Sequence, residues 1–303
     1  MIARFRSWWE QIKQRRVTIG IVAIVLVVVI ALIIAGYWFD WTGFDGYNKV
    51  TIARTTSGPS AGTVVRTEVY QPGKALWDWL QLLIIPAVLV VGGFLLNYTT
   101  SRNEQAISSD NQREAAMKEY FDKVSELMLH ENLSKSAPDA EVRKIARVLT
   151  LTVLPRLDGR RKGRVLQFLY ESGLIIKGQS IIDLKGADLK DADLLGAKLS
   201  GADLSGVFLR EANLFQANLN GANLILTALT AANLFKADLS GANLEKAFLD
   251  GGTDLRFANL NGANLQETKL KGTNLQGANV TSTQLDKAIF YEGVTMPDGT
   301  QHA

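Results

Sequence analysis

The stretch GADLKDADLLGAKLSGADLSG, Gly186 to Gly206, returns a leucine at every fifth residue, with an alanine two places before each one. A helix repeats at about 3.6 residues and a strand at about 2, and neither divides five. Steps of five would scatter the leucines around a helix and throw them alternately to both faces of a strand. The spacing therefore predicts another backbone, in which each short unit forms one side of a coil.

The period runs on in both directions. Leucines stand at 184, 189 and every fifth residue to 249, then at 255, 260, 265, 270 and 275, and Val280, Leu285 and Phe290 complete twenty-two units. The residue before each leucine is mostly Asp or Asn, as in Asp188, Asn213 and Asn233. Such residues suit turns because their side chains bond nearby backbone. A unit this short cannot bury its own apolar residue and must stack on its neighbours. Each leucine then points to a common axis, and the alanine beside it is small enough to fit there.

A second period, of twenty residues, gives the number of units per coil. Leu195, Phe215 and Phe235 each follow a core leucine, twenty apart. Phe208 and Phe248 replace the usual Asp or Asn forty apart, with Ala228 halfway, and Ser200–Gly201, Asn220–Gly221 and Ser240–Gly241 recur at twenty. Four units per coil would stack each set into a ladder. The step from Leu249 to Leu255 is six, at Gly251–Gly252, where a glycine pair can absorb an extra residue at a corner.

These residues resemble the pentapeptide-repeat family, with its A(D/N)LXX unit, over about 110 residues. The resemblance implies a β-solenoid, a right-handed quadrilateral β-helix with four repeats per coil. Five to six coils at about 4.8 Å between strands predict a rod roughly 26 Å long. The front of the chain, LWDWLQLLIIPAVLVVGGFLLNY and EVRKIARVLTLTVLPRLDGRRKG, is similar to bacterial membrane-anchored members of that family.

That front half carries two apolar runs. Val17–Phe39 has no charge and follows Arg4, Arg6, Lys13, Arg15 and Arg16. It is long enough to cross a hydrocarbon core of about 30 Å at about 1.5 Å per residue. A cleaved signal peptide would have a shorter apolar region and an A-x-A site, and no convincing one follows. Tyr37, Trp38, Phe39 and Trp41 suit an interfacial aromatic belt. Leu80–Tyr98 is also uncharged, flanked by Trp77, Trp79 and Arg102. The expected organisation is a basic segment 1–16, a transmembrane helix 17–39, a polar outside loop 40–78 and a transmembrane helix 79–99. A helical stalk and cap over 100–177, the repeat coil over 178–291 and a tail over 292–303 follow. The excess of basic residues before the first span places the N-terminus inside, and two spans return the repeat domain to the cytoplasmic side of the cell membrane.

Between the spans and the coil, three helices are expected. The first, from Asn103 to about Glu131, turns Met117, Phe121, Val124 and Met128 inward at helical steps. The second, after Pro138, uses Val142, Ile145, Leu149 and Leu151, and the third, Gly159–Gly173, uses Leu166, Phe168 and Leu169. His130, near a helix terminus, reads as a local cap rather than a ligand. This domain would cover the first rung near Ile181 and Ile182, and Phe290, Tyr291 and the MPDGT segment the last. Arg156, Arg160, Arg161, Lys162 and Arg164 cluster around Asp158, and are read either as contacts to anionic lipid headgroups or as a solvated helix end.

The chain of 303 residues has no cysteine and two histidines, His130 and His302. Disulfides, thiolate nucleophiles and Cys/His zinc sites are thereby excluded. No G-x-S-x-G elbow, P-loop or H-E-x-x-H occurs, and a solenoid filled by Leu and Ala leaves no pocket for paired carboxylates. No enzyme activity, cofactor or metal is expected. The leading reading is a membrane-anchored scaffold for an unidentified protein partner, with Leu195, Phe208, Phe215, Phe235 and Phe248 as the contact surface. Transmembrane signalling is an alternative. A second is mimicry of nucleic acid toward topoisomerase, as implied by some members of the family. Residues 180–290, with twelve acidic and ten basic side chains, lack the dense negative surface this requires, and no nucleic-acid partner is expected.

Overall fold

The structure is a computed structural model, and it describes residues 47–54, 64–71, 76–289 and 293–302. The basic segment 1–16, the first apolar span 17–39 and the pair Phe290–Tyr291 lie outside the described residues. The chain divides into two compact units, Met1–Asn103 and Glu104–Ala303.

In the first unit, β1 (Tyr47–Arg54) and β2 (Val64–Gln71) form an antiparallel hairpin, with Tyr47 opposite Gln71 and Arg54 opposite Val64. The sequence reading treats this region as a polar loop. The runs VTIA and VVRTEVY are rich in β-branched residues, which favour extended backbone. Helix α1 (Leu76–Leu129) follows as one continuous element, so the expected boundary between a span at 79–99 and a stalk from 100 is not marked by any break. Among the described residues no helix is long and apolar enough to cross a membrane.

The second unit is a helical cap followed by a coil. Helices α2 (Glu141–Val153) and α3 (Gly159–Glu171) pack with the C-terminal part of α1. Met117, Tyr120, Val124, Ala146, Val165, Leu166 and Leu169 are buried between them. The Tyr120 hydroxyl donates to Thr150 Oγ1 (2.8 Å), which in turn donates to the Ala146 carbonyl (2.8 Å). Burial raises the Tyr120 pKa above the usual phenol value. Helix α2 turns Ala146, Thr150 and Val153 inward and leaves Ile145 46% exposed, whereas the sequence pattern placed Ile145 in the core. A four-residue step from 142 reaches Ala146, and the small alanine is what lets α2 approach its neighbours.

The coil is built as the five- and twenty-residue periods require. Asp188 pairs in parallel with Phe208, Asp193 with Asn213, Lys198 with Asn218 and Asp203 with Asn223, each twenty residues on. Every circuit therefore has four sides. The Leu194 N–H donates to the Asn213 carbonyl (2.8 Å), and the Asn213 N–H returns to Ala192 (2.9 Å). Corners are β-turns: the Ala197 N–H donates to the Leu194 carbonyl (3.0 Å), with Gly196 at φ 61°. A positive φ at the third residue of the turn is the mark of type II, and it recurs at each corner. Glycine fills some of these positions, but Glu211, Gln216, Leu226 and Lys236 hold the same conformation. The extra residue at Gly251–Gly252 is confined to its corner, where both glycines have positive φ. The register simply becomes twenty-one across it, as in Asn233 with Asp254.

Leucine and the small residue two places earlier fill the interior throughout. Threonine takes the small position at 227, 253, 268 and 273, buried in each case. Each hydroxyl donates to a leucine carbonyl of the preceding circuit, Thr227 to Leu204 (2.8 Å) and Thr273 to Leu249 (2.6 Å). Buried hydroxyls without such partners are costly, so threonine enters where that carbonyl is in reach.

Both ends of the coil are closed. The first circuit has an open edge of N–H and C=O groups, and such edges invite pairing with other chains. Here the Asp193 N–H donates to the Gly159 carbonyl (2.8 Å) and the Asp203 N–H to Ile175 (2.7 Å). The Tyr170 hydroxyl donates to Ser200 (2.9 Å), and Lys162 Nζ to the Lys190 carbonyl (3.0 Å). Helix α3 lies so close that a Cβ on Gly163 would sit 2.1 Å from the Asp193 carbonyl oxygen, and one on Gly159 2.0 Å from that of Asp191. At the far end the chain leaves the period. Leu285 lies in a short helix, α4 (Ser282–Leu285), rather than on a coil side. The strands β3 (Val294–Thr295) and β4 (Gln301–His302) form a hairpin around MPDGT, and Thr295 pairs onto Asn274 as one more rung.

Four variants of the full chain separate these contributions, the first three in thermal unfolding and the fourth in amide exchange. Leu219→Ala opens a cavity on the axis and costs about 2–5 kcal/mol. Gly241→Ala forces a Cβ into the left-handed region and costs about 1 kcal/mol, while Lys236→Gly at the equivalent corner costs nothing. Gly163→Ala drives α3 off the first circuit, read as loss of amide-exchange protection at Asp193 and Asp203.

Candidate interaction surface

With leucine and alanine committed to the axis, only three positions of each unit reach the outside. Position by position, these form ladders running from coil to coil. Three sides carry polar ladders at the position before the leucine. Asn213 Nδ2 donates to Asp193 Oδ1 (3.0 Å), Asn223 to Asp203 (2.9 Å) and Asn259 to Asp238 (3.0 Å). The same oxygens accept backbone N–H groups two residues on, as Asp238 does from Ser240 (3.1 Å). Hydrogen bonds from the Ser240 hydroxyl and N–H and from Asn259 hold the Asp238 carboxyl below its usual pKa, although burial opposes them.

The remaining side breaks this rule. Its ladder reads Asp188, Phe208, Ala228, Phe248 and Lys269. Phe208 is 48% exposed and Phe248 half-buried. The other aromatic ladder stands on the next side, just after the leucines. Leu195 is 60% exposed, and the rings of Phe215 and Phe235 stack with centroids 5.5 Å apart and planes within 5°. Arg256 takes the following rung, its guanidinium 5.3 Å from the Phe235 centroid, while Phe257 meets Phe235 edge-on at 5.5 Å. Arg256 also holds Asp254 through two hydrogen bonds (2.9 and 2.7 Å). Burial pushes the Asp254 carboxyl up, but these bonds outweigh it and leave the pKa low.

The five candidate contact residues therefore form two ridges rather than one patch, with the Asp193–Asn213–Asn233 ladder between them along the chain. Phe257 extends the second ridge and was not evident from the sequence. It sits two residues after Leu255, at the corner position that Gly196, Gln216 and Lys236 hold in the preceding circuits, and not on the ladder just after the leucines.

The basic cluster divides in the same way. Arg156, Arg160 and Arg164 are exposed. Lys162 is buried, 5% exposed, with its ammonium on the Lys190 carbonyl and 3.3 Å from Asp188. Arg161 is held by Asp110 and Glu114 of α1 (2.8 Å each) and by Asp158. Asp158 is also the N-cap of α3, accepting from the Arg161 N–H (3.0 Å). These two cations are structural clamps, held inward by the groups they bind, and are not available to lipid headgroups. Hydrogen bonding to Arg161 lowers the Asp110 pKa. For Asp158 burial acts upward, and the bonds from Arg161 override it. Among the described residues no group of acidic or histidine side chains is placed to hold a metal ion.

Residues 182–214, 212–251 and 252–290 match the family of pentapeptide repeats. Solved structures to which the chain is similar include a pentapeptide-repeat protein of the Arabidopsis thaliana thylakoid lumen. It is 33% identical over 38% of this chain and 83% of that one, with a TM-score of 0.30. HetL, a pentapeptide-repeat protein involved in heterocyst differentiation regulation from Nostoc sp. strain PCC 7120, is 34% identical over 38% of this chain and 65% of that one, with a TM-score of 0.19. Rfr23 of the cyanobacterium Cyanothece 51142 is 30% identical over 34% and 85%, with a TM-score of 0.20. No curated protein matches the chain. The chain belongs to the pentapeptide-repeat family, whose repeats fold as a right-handed quadrilateral β-helix.

The clamp on Arg161 gives a pH dependence with a definite sign. Carboxylates with lowered pKa stabilise the fold above their unfolded value, about 3.9 for Asp, and lose that contribution as pH falls through the folded value. Thermal unfolding followed from pH 6 to pH 2 is expected to fall steeply below about pH 4, and Arg161→Met to flatten that fall.

Proposed function

We propose that this pentapeptide-repeat protein is a non-enzymatic, membrane-anchored scaffold whose coil presents a rigid outer surface to a protein partner on the cytoplasmic side. The observation that carries this reading is the filled interior. From Leu189 to Leu275 the axis is packed with buried leucine and small residues, so chemistry and recognition are left to the outer ladders. On those ladders the departures from Asp and Asn include two aromatics, Phe208 and Phe248, beside Lys198, Ala228 and Lys269. Phe208, Phe257 and Leu195 are exposed large apolar side chains on an otherwise polar coil, and such groups mark contact sites when they cluster.

Although no described helix is long and apolar enough to cross a membrane, residues 80–98 hold no charge, and Val88, Leu89, Val90, Phe94 and Leu96 are all exposed on α1, which supports an anchor. Exposed aliphatic side chains in that density suit lipid rather than water. Exposed Arg156 and Arg160 are the members of the basic cluster left to meet anionic headgroups, each worth about 1 kcal/mol near such a surface, while Arg164 is paired with Glu114 (3.4 Å). The unbroken helix α1, Leu76–Leu129, favours transmembrane signalling as a second reading, since a relay along the chain needs continuous secondary structure. Mimicry of nucleic acid finds no support in a coil with near-balanced charge.

Two measurements test the proposal. In alkaline carbonate extraction the full chain stays with the membrane pellet, and a chain lacking residues 1–103 is released. Release of the full chain refutes the anchor. Crosslinking in native membranes recovers a protein partner with the wild type and at least fivefold less with Phe215→Ser, Phe235→Ser. Equal recovery removes the second ridge from the contact surface.

A further inference from the structure

The ladder that breaks the polar rule has a gap in its middle. Phe208 and Phe248 stand two rungs apart, and the rung between them is Ala228. Two strand spacings separate the phenyl groups by about 9.6 Å. A flat ring seated on Ala228 would lie about 4.8 Å from each, inside the range of about 4.5–7 Å in which aromatic pairs attract. The protein shows this stack elsewhere, where Phe215 and Phe235 occupy successive rungs at 5.5 Å. The Lys269 ammonium lies 4.7 Å over the Phe248 ring from the rung beyond. The opposite face of that ring is therefore turned toward the Ala228 rung. Leu226, 46% exposed at the adjoining corner, extends the apolar floor.

Among the described residues around this notch, the charges without an ion pair are three cations and one carboxylate, Asp250, whose hydrogen bond from Thr230 leaves its charge in place. Glu245 and Glu267 are bound to Lys246 (3.5 and 3.9 Å), and Asp250 accepts from Thr230 (2.6 Å). Glu211 is bound to Lys190 (3.4 Å). Among the described residues no carboxylate stands within ion-pairing distance of Arg210, Lys269 or Lys271, which share this side of the coil.

From this geometry we propose that the Phe208–Ala228–Phe248 notch receives one aromatic side chain of a partner peptide, with acidic residues of that peptide meeting Arg210, Lys269 and Lys271. The inference rests on the scaffold reading and gives it a partner chemistry: an acidic segment bearing Trp, Tyr or Phe. Stacking on both faces selects a ring over an aliphatic chain, and the three cations select the sign of its neighbours.

The test uses the full chain in detergent as bait for a displayed library of random twelve-residue peptides. Enriched peptides are then labelled and titrated by fluorescence anisotropy. Ala228→Phe fills the notch with the side chain that the same position carries one circuit below and above, so its thermal unfolding matches the wild type. The expected result is enrichment of an aromatic residue with at least two acids nearby. Binding weakens at least tenfold with Ala228→Phe or with Arg210→Glu, Lys269→Glu, and less than twofold with Phe215→Ser. Binding unaffected by Ala228→Phe overturns the notch and leaves the scaffold reading standing. Enriched peptides that are basic or lack an aromatic residue overturn the partner chemistry. No enrichment on the wild type counts against both.

Discussion

The N–H of Leu194 reaches the Asn213 carbonyl one circuit on, and the N–H of Asn213 reaches back to Ala192. That exchange, repeated on four sides, forces residues twenty apart to lie above one another. All else in the second unit is a condition for keeping it. Leucine and a small residue must alternate on the axis so that circuits approach to bonding distance. A residue in the left-handed region must close every fifth step. The first and last circuits must find other partners for groups that have no neighbour in the stack.

These conditions explain why the coil could be read from the sequence and the cap only in outline. A pattern repeated so many times makes each leucine a test of the last one, and the glycine pair at 251–252 identified its own exception. The helices before the coil were placed by the same apolar spacing, but their contacts were not. Lys162 and Arg161 look like any surface cations in sequence. What turns them inward is the unpaired carbonyl of Lys190 and the carboxylates of Asp110 and Asp158, set by tertiary approach alone. Gly159 and Gly163 carry no periodic signal either; only the nearness of Asp191 and Asp193 shows why a side chain is excluded.

The candidate surface was legible in part for a related reason. Phe215 and Phe235 were found because they stand twenty apart. Phe257 stands off that ladder, as the second residue after its leucine and so at a corner, and only the contact of its ring with Phe235 joins it to the ridge. Ala228 was noted only as the midpoint of a ladder. Its importance depends on what stands one rung to either side and on which face of Phe248 is already taken by Lys269.

The corner at Gly251–Gly252 has a further consequence. One added residue there leaves the rungs on both sides in parallel pairing, so Asn233 meets Asp254 as cleanly as Asn213 meets Asn233. Extra length is therefore taken up locally, without disturbing the stacking of later circuits. The architecture offers a set of tolerant addresses, one per turn, where evolution or an engineer could graft a recognition loop onto an unchanged frame.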